Sequence, residues 1–257
     1  MSRTPRRDST VTKAIDPPVA APGELVVAEV FGPTFQGEGR SLGQRAAFLR
    51  LGNCNLDCGR GPGSTWACDT PYTWDWHRYD PAAELSVRRT DDIVAQIEAM
   101  SVSRVVVTGG EPMIQQGRLV DFLEAARRRQ WAVEIETNGT IAPRPDVAPL
   151  VTQFNVSPKV RGSGVPAATA LREGALTALR DTGRAVFKFV ASEPAQLDDV
   201  EQVVKAFRLA PVMIMPAGTT PDEILSVARK LADPVLAKGW ELTTRLHILL
   251  WGDERGR

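Results

Sequence analysis

The sequence predicts an α/β fold in which a parallel sheet curves into an open or incomplete (β/α) barrel. Short β-branched runs alternate with longer amphipathic stretches from residue 24 onwards. Such alternation favours parallel strands joined by right-handed crossovers. About six strand–helix units follow one another, and Gly-rich or polar segments follow the strands, as at the carboxyl ends of barrel strands.

The predicted strands are short and rich in Val, Ile, Leu and Phe. They are Leu25–Phe31, Ala46–Leu51, Arg104–Thr108, Ala132–Thr137, Gln153–Val156, Val186–Val190, Val212–Met215 and Leu246–Trp251. The predicted helices are Asp91–Met100, Gly117–Gln130, Ala168–Thr182, Pro194–Phe207 and Pro221–Ala237. Pro221 suits a first helical position, where its missing N–H is not needed. No repeat or linker divides residues 24–257, which we predict to form one domain.

Composition excludes several classes of function. Lys plus Arg and Asp plus Glu number 31 each, so no basic field attracts nucleic acid. The apolar runs are far shorter than the ~20 residues of a membrane-spanning helix. Residues 1–23 are polar and rich in Pro, Ala and Arg, which predicts a disordered leader rather than a secretory signal. We therefore expect a cytoplasmic protein with reduced thiols.

The three cysteines of the chain, Cys54, Cys58 and Cys68, lie within fifteen residues of one another. This grouping indicates a metal centre rather than scattered core thiols. Three thiolates can hold three irons of a [4Fe–4S] cluster and leave the fourth iron open, whereas most electron-transfer clusters use four cysteines. Two alternatives stay open at this point: buried apolar cysteines, and zinc held by three cysteines and a histidine. The histidines, His77 and His247, do not stand at zinc-finger spacing.

Polar or Gly-rich segments follow most of the predicted strands. They read G-P-T-F-Q-G-E-G, T-G-G-E-P, E-T-N-G-T, S-P-K, M-P-A-G and W-G-D-E-R-G-R. The segment after the second strand holds Cys54, Cys58 and Cys68 and is called the cysteine loop. Because the carboxyl ends of barrel strands share one face, these segments together predict a pocket.

Several motifs resemble known families. The cysteine loop, Thr108-Gly109-Gly110-Glu111-Pro112 and the barrel order resemble the radical S-adenosylmethionine (SAM) enzymes. The opening F-G-P-T-F-Q-G-E-G, the continuation Cys68-Asp69-Thr70 and the ending H-I-L-L-W-G-D-E-R-G-R are similar to the 7-carboxy-7-deazaguanine synthases, over about residues 24–257. The resemblance implies an incomplete (β/α)6-type, TIM-like barrel of the radical SAM type.

The resemblance also implies a reaction. The open iron would bind the methionine end of SAM, whose reductive cleavage gives a 5′-deoxyadenosyl radical. That radical would abstract hydrogen from 6-carboxy-5,6,7,8-tetrahydropterin, whose ring contracts and loses ammonia to give 7-carboxy-7-deazaguanine, a queuosine and 7-deazapurine precursor. SAM would be regenerated.

Residue roles follow from the same resemblance. Cys54, Cys58 and Cys68 would hold the cluster. Gly110 would offer a backbone N–H or C=O to the methionine end of SAM, and Glu136 would accept hydrogen bonds from the ribose hydroxyls. The full set of implied SAM contacts is Ala67, Cys68, Asp69, Gly110, Glu136, Ser157, Pro158, Lys159, Met215, Pro216, Ala217 and Gly218.

The resemblance places the pterin and a magnesium ion nearby. Arg50 would pair with the substrate carboxylate, as a bidentate guanidinium can. Thr70 would bind Mg²⁺, which needs few protein oxygens when the substrate supplies others. The implied substrate contacts are Phe35, Gln36, Gly37, Arg50, Thr108, His247 and Arg255.

The cysteine spacing departs from the usual radical SAM pattern, Cys-x3-Cys-x2-Cys. Nine residues, 59–67, separate Cys58 from Cys68, and their sequence G-R-G-P-G-S-T-W-A is typical of a flexible loop. Longer loops cost little closure entropy, so we expect the cluster to be kept. The insert is also a candidate docking site for a flavodoxin or ferredoxin.

Two competing functions share part of these signals. Another radical SAM enzyme, such as a glycyl-radical activase, would share the cysteines and Gly109-Gly110. A non-catalytic zinc-binding scaffold would share only the cysteines. The resemblance further implies a homodimer, with flavodoxin or ferredoxin as electron donor.

Overall fold

The structure, a computed structural model, describes residues 16–257. In this range the strands are β1 (Glu24–Phe35), β2 (Arg45–Leu51), β3 (Ser86–Arg89), β4 (Arg104–Gly109), β5 (Ala132–Thr137), β6 (Gln153–Val156), β7 (Ala185–Ala191), β8 (Val212–Pro216) and β9 (Glu241–Leu242). The helices are α1 (Pro81–Glu84), α2 (Thr90–Ala99), α3 (Gln116–Arg128), α4 (Ala167–Ala170), α5 (Glu173–Asp181), α6 (Gln196–Phe207), α7 (Pro221–Ala237) and α8 (Leu246–Trp251).

All of these strands belong to one sheet. Their order is β3-β1-β2-β4-β5-β6-β7-β8-β9. From β2 to β9 each strand pairs in parallel with the next, while β1 runs antiparallel to both β2 and β3. α-Helices connect the parallel strands, as in an incomplete (β/α) barrel, except between β5 and β6, where the connection holds only the short 3-10 helix Ala148–Leu150. The predicted fold class is confirmed.

The two faces of the sheet differ in chemistry because successive side chains on a strand point to opposite sides. On β7, Phe187 and Phe189 belong to the hydrophobic core and are 0% exposed. Lys188, between them, lies on the other side with ion-pair partners in the barrel interior. The same alternation on β5 puts Ile135 in the core and Glu136 in the interior. The helices thus cover an apolar face, and the barrel interior is polar.

Most predicted elements occur close to their predicted bounds. β5, β6 and α7 coincide with the prediction. Pro221 begins α7, after a capping box in which Thr220 and Glu223 satisfy each other's backbone amides. The predicted helix over residues 168–182 is two helices, α4 and α5, separated by Leu171 and Arg172, both of them non-helical and Arg172 extended.

The predicted last strand, Leu246–Trp251, is wrong: these residues form α8. A short apolar run fits a strand or a buried helix equally well, so periodicity alone does not decide. The sheet instead ends with β9, which pairs with β8 through Ile214 and Leu242. The short strands β3 and β9 were not predicted.

The direction of β1 corrects a second expectation. Val27 pairs with Leu51 and Phe35 with Arg45, so β1 ends beside the beginning of β2, opposite the carboxyl ends of the parallel strands. The chain then turns inward. The Gly37 carbonyl accepts the Leu246 N–H at 2.8 Å, and the Gly39 N–H donates to the Thr243 hydroxyl at 3.0 Å. Residues 36–39 therefore connect the end of β1 to the segment that follows β9 and still reach the pocket.

Part of the predicted disordered leader, residues 1–15, lies outside the described residues. Residues 16–23 have no helix or strand, but Ala20 is 5% exposed and packs with Val26 and Leu85. No helix within residues 16–257 is both long enough and apolar enough to span a membrane. That residues 24–257 form a single domain stays a prediction.

Candidate active site

A cavity of about 910 Å³ opens at the carboxyl ends of the parallel strands. The cysteine loop, the segment after β1, the loops after β4 to β8 and the C-terminal residues 253–257 all line it. The cavity holds every predicted site residue except Pro158, which is buried. Its neighbours Ser157 and Lys159 do line the cavity, and the SAM contact of Pro158 stays a prediction.

Two of the three cysteine sulfurs, those of Cys54 and Cys68, accept hydrogen bonds. The Leu56 N–H donates to the Cys54 sulfur at 3.5 Å, and the Trp74 indole N–H donates to the Cys68 sulfur at 3.4 Å. Burial raises the pKa of Cys54 to about 12, and burial also raises the pKa of Cys58 above its ordinary value, so metal binding must displace both thiol protons.

The arrangement of the cysteines fits a cluster better than one metal ion. Within residues 16–257, no group of three or more His, Cys, Asp and Glu side chains is placed to hold a single ion. Thiolate ligands of an iron–sulfur cluster bind different irons, so they need not converge on one point. All three cysteines face the same cavity, and the donor N–H groups suit thiolates. The residues therefore fit a [4Fe–4S] cluster.

Two glycines let the backbone after β4 press against the cysteine loop. A Cβ on Gly110 would lie 2.1 Å from the Asn53 carbonyl oxygen and 3.0 Å from the Cys54 Cβ. A Cβ on Gly109, at φ +127°, would lie 2.0 Å from the Leu51 carbonyl oxygen. The Gly110 N–H already donates to Leu51 at 3.2 Å, so only its carbonyl is left for a ligand.

Glu111 braces the loops after β4 and β5. Its side chain is 0% exposed and accepts from the Met113 N–H at 3.0 Å, the Thr137 hydroxyl at 2.8 Å and the Asn138 N–H at 2.7 Å. Burial raises the pKa of Glu111, against these donors. The acid of the T-G-G-E-P motif is thus a support for the cavity wall.

The insert of residues 59–67 is bonded to the loop after β6. The Gly59 N–H donates to the Ser163 carbonyl at 2.9 Å, and the Thr65 N–H donates to the Gly162 carbonyl at 2.8 Å. A Cβ on Gly61 would lie 1.9 Å from the Gly164 carbonyl oxygen. The glycines that suggested flexibility instead permit close backbone packing. The insert ties the cysteine loop to the loop that begins with Ser157 and Lys159.

Lys188 and Arg245 organise the interior beneath these loops. Lys188 Nζ lies 2.5 Å from a Glu38 oxygen and 3.0 Å from a Glu136 oxygen. Arg245 donates to Glu38 at 3.1 Å, to Asp69 at 2.7 Å and to the Gly218 carbonyl at 2.9 Å. Arg245 therefore joins the segment after β1, the cysteine loop and the loop after β8.

Lys188 and Glu38 are held in their charged forms, whereas burial raises the pKa of Glu136, with Lys188 opposing that shift and Glu38 adding to it. Burial by itself would lower the pKa of Lys188, but the carboxylates of Glu136 and Glu38 outweigh it and hold that pKa above its ordinary value. Burial acts to raise the pKa of Glu38, and Lys188 and Arg245 override it, so the Glu38 carboxyl titrates well below its ordinary range. Paired charges of this kind stabilise only while every member is present.

Glu136 has fewer free hydrogen-bond acceptor sites than the predicted ribose contact assumes. Its carboxylate accepts from Lys188 at 3.0 Å, from the Asn155 amide at 2.9 Å and from the Gln36 amide at 3.4 Å. An ionised carboxylate offers about four lone-pair sites. A ribose hydroxyl would take the one that is left. Lys159, in contrast, donates to the Ser157 hydroxyl at 3.0 Å and lies 5.7 Å from the centre of the Trp66 ring.

The predicted substrate contacts have partners of their own. Arg50 donates to Glu29 at 2.8 Å. Arg255 pairs with Glu29 and Glu84, and its guanidinium lies 3.8 Å from the centre of the Tyr72 ring. A substrate carboxylate would compete with Glu29 for both arginines.

The remaining predicted contacts are arranged around the segment after β1. Phe35 is 42% exposed and stacks on Trp251, with the ring centres 6.1 Å apart. Gly37 lies so close to His247 that a Cβ would be 2.1 Å from its Nδ1. Thr70 donates to the Gly109 carbonyl at 3.4 Å, and Thr108 lines the same wall.

Sequence reasoning missed most of the polar and charged side chains of the barrel interior. Glu38 lies within the quoted Q-G-E-G segment, but Lys188, Arg245, Glu134 and Asn155 were not identified. A signal did exist, because Glu134, Asn155 and Lys188 interrupt buried strands at positions that alternate with apolar residues. Charged residues are rarely buried unless they are paired.

Comparison with known proteins identifies the family. A 7-carboxy-7-deazaguanine synthase of Pyrobaculum aerophilum is 36% identical over 242 residues, which covers 93% of this chain and 100% of that protein. The chain belongs to the 7-carboxy-7-deazaguanine synthase family. A family member from Bacillus subtilis is 28% identical over 253 residues and covers 90% of this chain and 98% of its own.

Two further comparisons agree with this family. The model of the 4Fe-4S single cluster domain matches residues 35–157, which include the three cysteines. The crystal structure of QueE from Escherichia coli has the same fold, with a TM-score of 0.64 at 22% identity, and covers 87% of this chain and 95% of that chain.

Proposed function

We propose that this protein is a radical SAM enzyme that converts 6-carboxy-5,6,7,8-tetrahydropterin into 7-carboxy-7-deazaguanine and ammonia. The observation that carries the proposal is that three cysteines and the polar strand ends of a 7-carboxy-7-deazaguanine synthase fold line one cavity. That cavity has the size typical of a small-molecule site. The product would serve queuosine or other 7-deazapurine synthesis.

Cys54, Cys58 and Cys68 would hold a [4Fe–4S] cluster. When bound, the cluster and SAM supply a 5′-deoxyadenosyl radical that removes a hydrogen atom from the substrate. Lys159 and Ser157 would bind the SAM carboxylate, because an ammonium and a hydroxyl lie together at the cavity wall. The Gly110 carbonyl would accept from the SAM amino group.

The remaining SAM contacts line the same cavity. Glu136 would use its free lone pair for the ribose, and Met215, Pro216, Ala217 and Gly218 would line the adenine. Ala67 and Asp69 flank Cys68 on the cluster side. Arg245 holds Asp69 and Gly218 in place through its hydrogen bonds to both.

The pterin would lie along residues 35–37. Gln36 and Gly37 line this part of the cavity, where a pterin would share the Gln36 amide with Glu134 and Glu136. His247 packs directly against Gly37. Burial lowers the pKa of His247, so its imidazole is neutral and offers both a donor and an acceptor. Arg50, Arg255 and Thr108 would bind the carboxyl end. Thr70 would hold Mg²⁺ through its hydroxyl together with a substrate oxygen.

Two further proposals concern partners. We propose that the chain forms a homodimer, as the resemblance to 7-carboxy-7-deazaguanine synthases implies. A flavodoxin or ferredoxin would supply the electron, because SAM cleavage of this kind requires a one-electron reductant.

An anaerobic assay tests the reaction. Protein with reconstituted cluster is incubated with SAM, dithionite, Mg²⁺ and 6-carboxytetrahydropterin, and 7-carboxy-7-deazaguanine is sought by mass spectrometry. Product is expected from the native protein and not from Cys68→Ala. The variant Lys230→Met, altered in an exposed ion pair on α7, serves as the matched control and should retain activity.

The assay separates the alternatives. SAM cleavage to 5′-deoxyadenosine without deazaguanine would indicate another radical SAM reaction, such as activation of a glycyl radical enzyme. Zinc without iron after anaerobic purification and reconstitution would indicate the non-catalytic scaffold and contradict the proposal.

A further inference from the structure

The indole of Trp74 donates a hydrogen bond to one of the three cysteines. Its Nε1 lies 3.4 Å from the Cys68 sulfur, while the Thr70 hydroxyl lies 3.8 Å from the same atom. An indole N–H is a donor only, so the direction of this bond is fixed. Trp74 also lines the cavity.

Neighbouring residues hold the Trp74 ring in position. The Arg60 guanidinium lies 5.9 Å from the centre of the ring and 3.3 Å from a carboxylate oxygen of Asp75. The Asp75 side chain is 1% exposed and also binds Arg78 at 2.6 Å. Arg60 belongs to the insert of residues 59–67, which the backbone bonds to Gly162 and Ser163 keep in place. The insert therefore supports the donor of the Cys68 hydrogen bond.

We propose that Trp74 raises the reduction potential of the cluster by donating its N–H to Cys68, and that Arg60 of the insert positions Trp74 for this role. The inference rests on the proposed function, because it takes Cys68 as a cluster ligand. Reduction adds an electron whose charge is shared with the ligand sulfurs. An N–H donor stabilises that added charge, so it favours the reduced state.

Trp74 differs from the other sulfur donor in a way that makes the proposal testable. Cys54 accepts from the backbone N–H of Leu56, which a side-chain substitution leaves in place. The hydrogen bond to the Cys68 sulfur comes from the side chain of Trp74. Trp74→Phe removes it and keeps an aromatic ring beside Arg60. Trp240, whose ring lies 5.5 Å from the Lys238 ammonium and does not line the cavity, provides the matched control Trp240→Phe.

The experiment is a redox titration of the holoenzyme followed by electron paramagnetic resonance, with iron per chain measured on each sample. We expect Trp74→Phe to make reduction about tenfold less favourable, which for a one-electron couple is a shift of about 59 mV to lower potential. Trp240→Phe should match the native protein. Native iron content with an unchanged potential in Trp74→Phe would overturn the proposal. Failure of the native protein to assemble any [4Fe–4S] cluster would instead overturn the proposed function, and this inference with it.

A second measurement covers the case in which Trp74→Phe does not hold the cluster. Native protein is labelled with ¹⁵N-indole tryptophan, and electron–nuclear double resonance is recorded on the reduced cluster. We expect a ¹⁵N coupling that persists in Trp66→Phe, which removes the other tryptophan of the cavity wall. A spectrum without that coupling would refute the hydrogen bond.

Arg60 has its own test. In Arg60→Gln the Trp74 ring loses the cation beside it, so the potential should fall, and the ¹⁵N coupling should weaken. An unchanged coupling together with an unchanged potential would remove the insert from the proposal and leave Trp74 acting without it.

Discussion

Substituting Lys188 by Met should destabilise the fold strongly. The substitution removes the cation that lies 2.5 Å from Glu38 and 3.0 Å from Glu136. The Lys188 side chain is 4% exposed, and the two carboxylates are 17% and 19% exposed, so water can replace the lost partner only in part. Met fills nearly the same volume, which separates the loss of charge from the creation of a cavity.

The expected loss follows from the burial of the network. Removing one member of a buried ion pair costs about 3–5 kcal/mol, because the remaining charge is left uncompensated. Arg245 still neutralises Glu38, so we expect the lower end of that range, ~3 kcal/mol. For a chain of this length such a loss lowers the melting temperature by about 6–12 °C.

Urea unfolding followed by tryptophan fluorescence, under anaerobic conditions, measures the change. Lys230→Met is the control, because Lys230 and Glu193 also lie 3.0 Å apart but are 50% and 57% exposed. An exposed pair of this kind contributes at most about 1 kcal/mol. The double variant Lys188→Met/Glu136→Gln should recover part of the loss, since it removes one uncompensated carboxylate.

A Lys188→Met variant as stable as Lys230→Met would refute this reasoning. It would mean that Glu38 and Glu136 are either hydrated or protonated in the native protein. A double variant less stable than Lys188→Met alone would show that Glu136 contributes through its bonds to Asn155 and Gln36 instead.

Three further predictions concern the cysteine loop, the insert and His247. Gly110→Ala would place a Cβ 2.1 Å from a carbonyl oxygen of the cysteine loop, so iron per chain after reconstitution should fall. Gly174→Ala, whose Cβ would meet open space on α5, is the control and should retain native iron. Equal iron in both variants would contradict the close packing of Gly110. Gly61→Ala would place a Cβ 1.9 Å from the Gly164 carbonyl oxygen, so limited proteolysis should cut residues 59–67 faster than in the control Gly174→Ala. Equal rates would show that the insert is not held against the loop after β6. Burial lowers the pKa of His247 below its ordinary value of 6.5, so the unfolded state binds the proton more readily and the free energy of unfolding should fall as the pH drops below 6.5. In urea titrations at several pH values, His247→Gln should show a smaller fall. An unchanged pH dependence would count against a buried neutral imidazole.

The sequence predicted those parts of the fold that depend on local pattern. β5, β6 and α7 were predicted with their observed bounds because period-two and amphipathic patterns are properties of a single segment. The run Leu246–Trp251 was assigned wrongly because six apolar residues satisfy both patterns. Whether this run forms a strand or a helix depends on whether the sheet edge beside β8 is free for pairing, and β9 already occupies that edge.

The candidate site, like the fold, was predicted only in those parts that depend on residues close together in the chain. Cys54, Cys58 and Cys68 were found from the sequence because metal ligands of this kind are grouped along the chain. The partners of Lys188 and Arg245 were not, because Glu38 is 150 residues from the first and 207 from the second. Burial decides that such charges need partners, and chain topology decides which partners they meet.

The sequence by itself therefore determined the α/β class, the cysteine site and the family motifs, all of which are written in residues close together in the chain. Only the tertiary structure decided the antiparallel direction of β1, the path of residues 36–39 across the barrel and the fastening of the insert to the loop after β6. These features depend on strand pairing and on contacts between distant segments. The free energy of such contacts is shared between both partners, so neither segment encodes it alone.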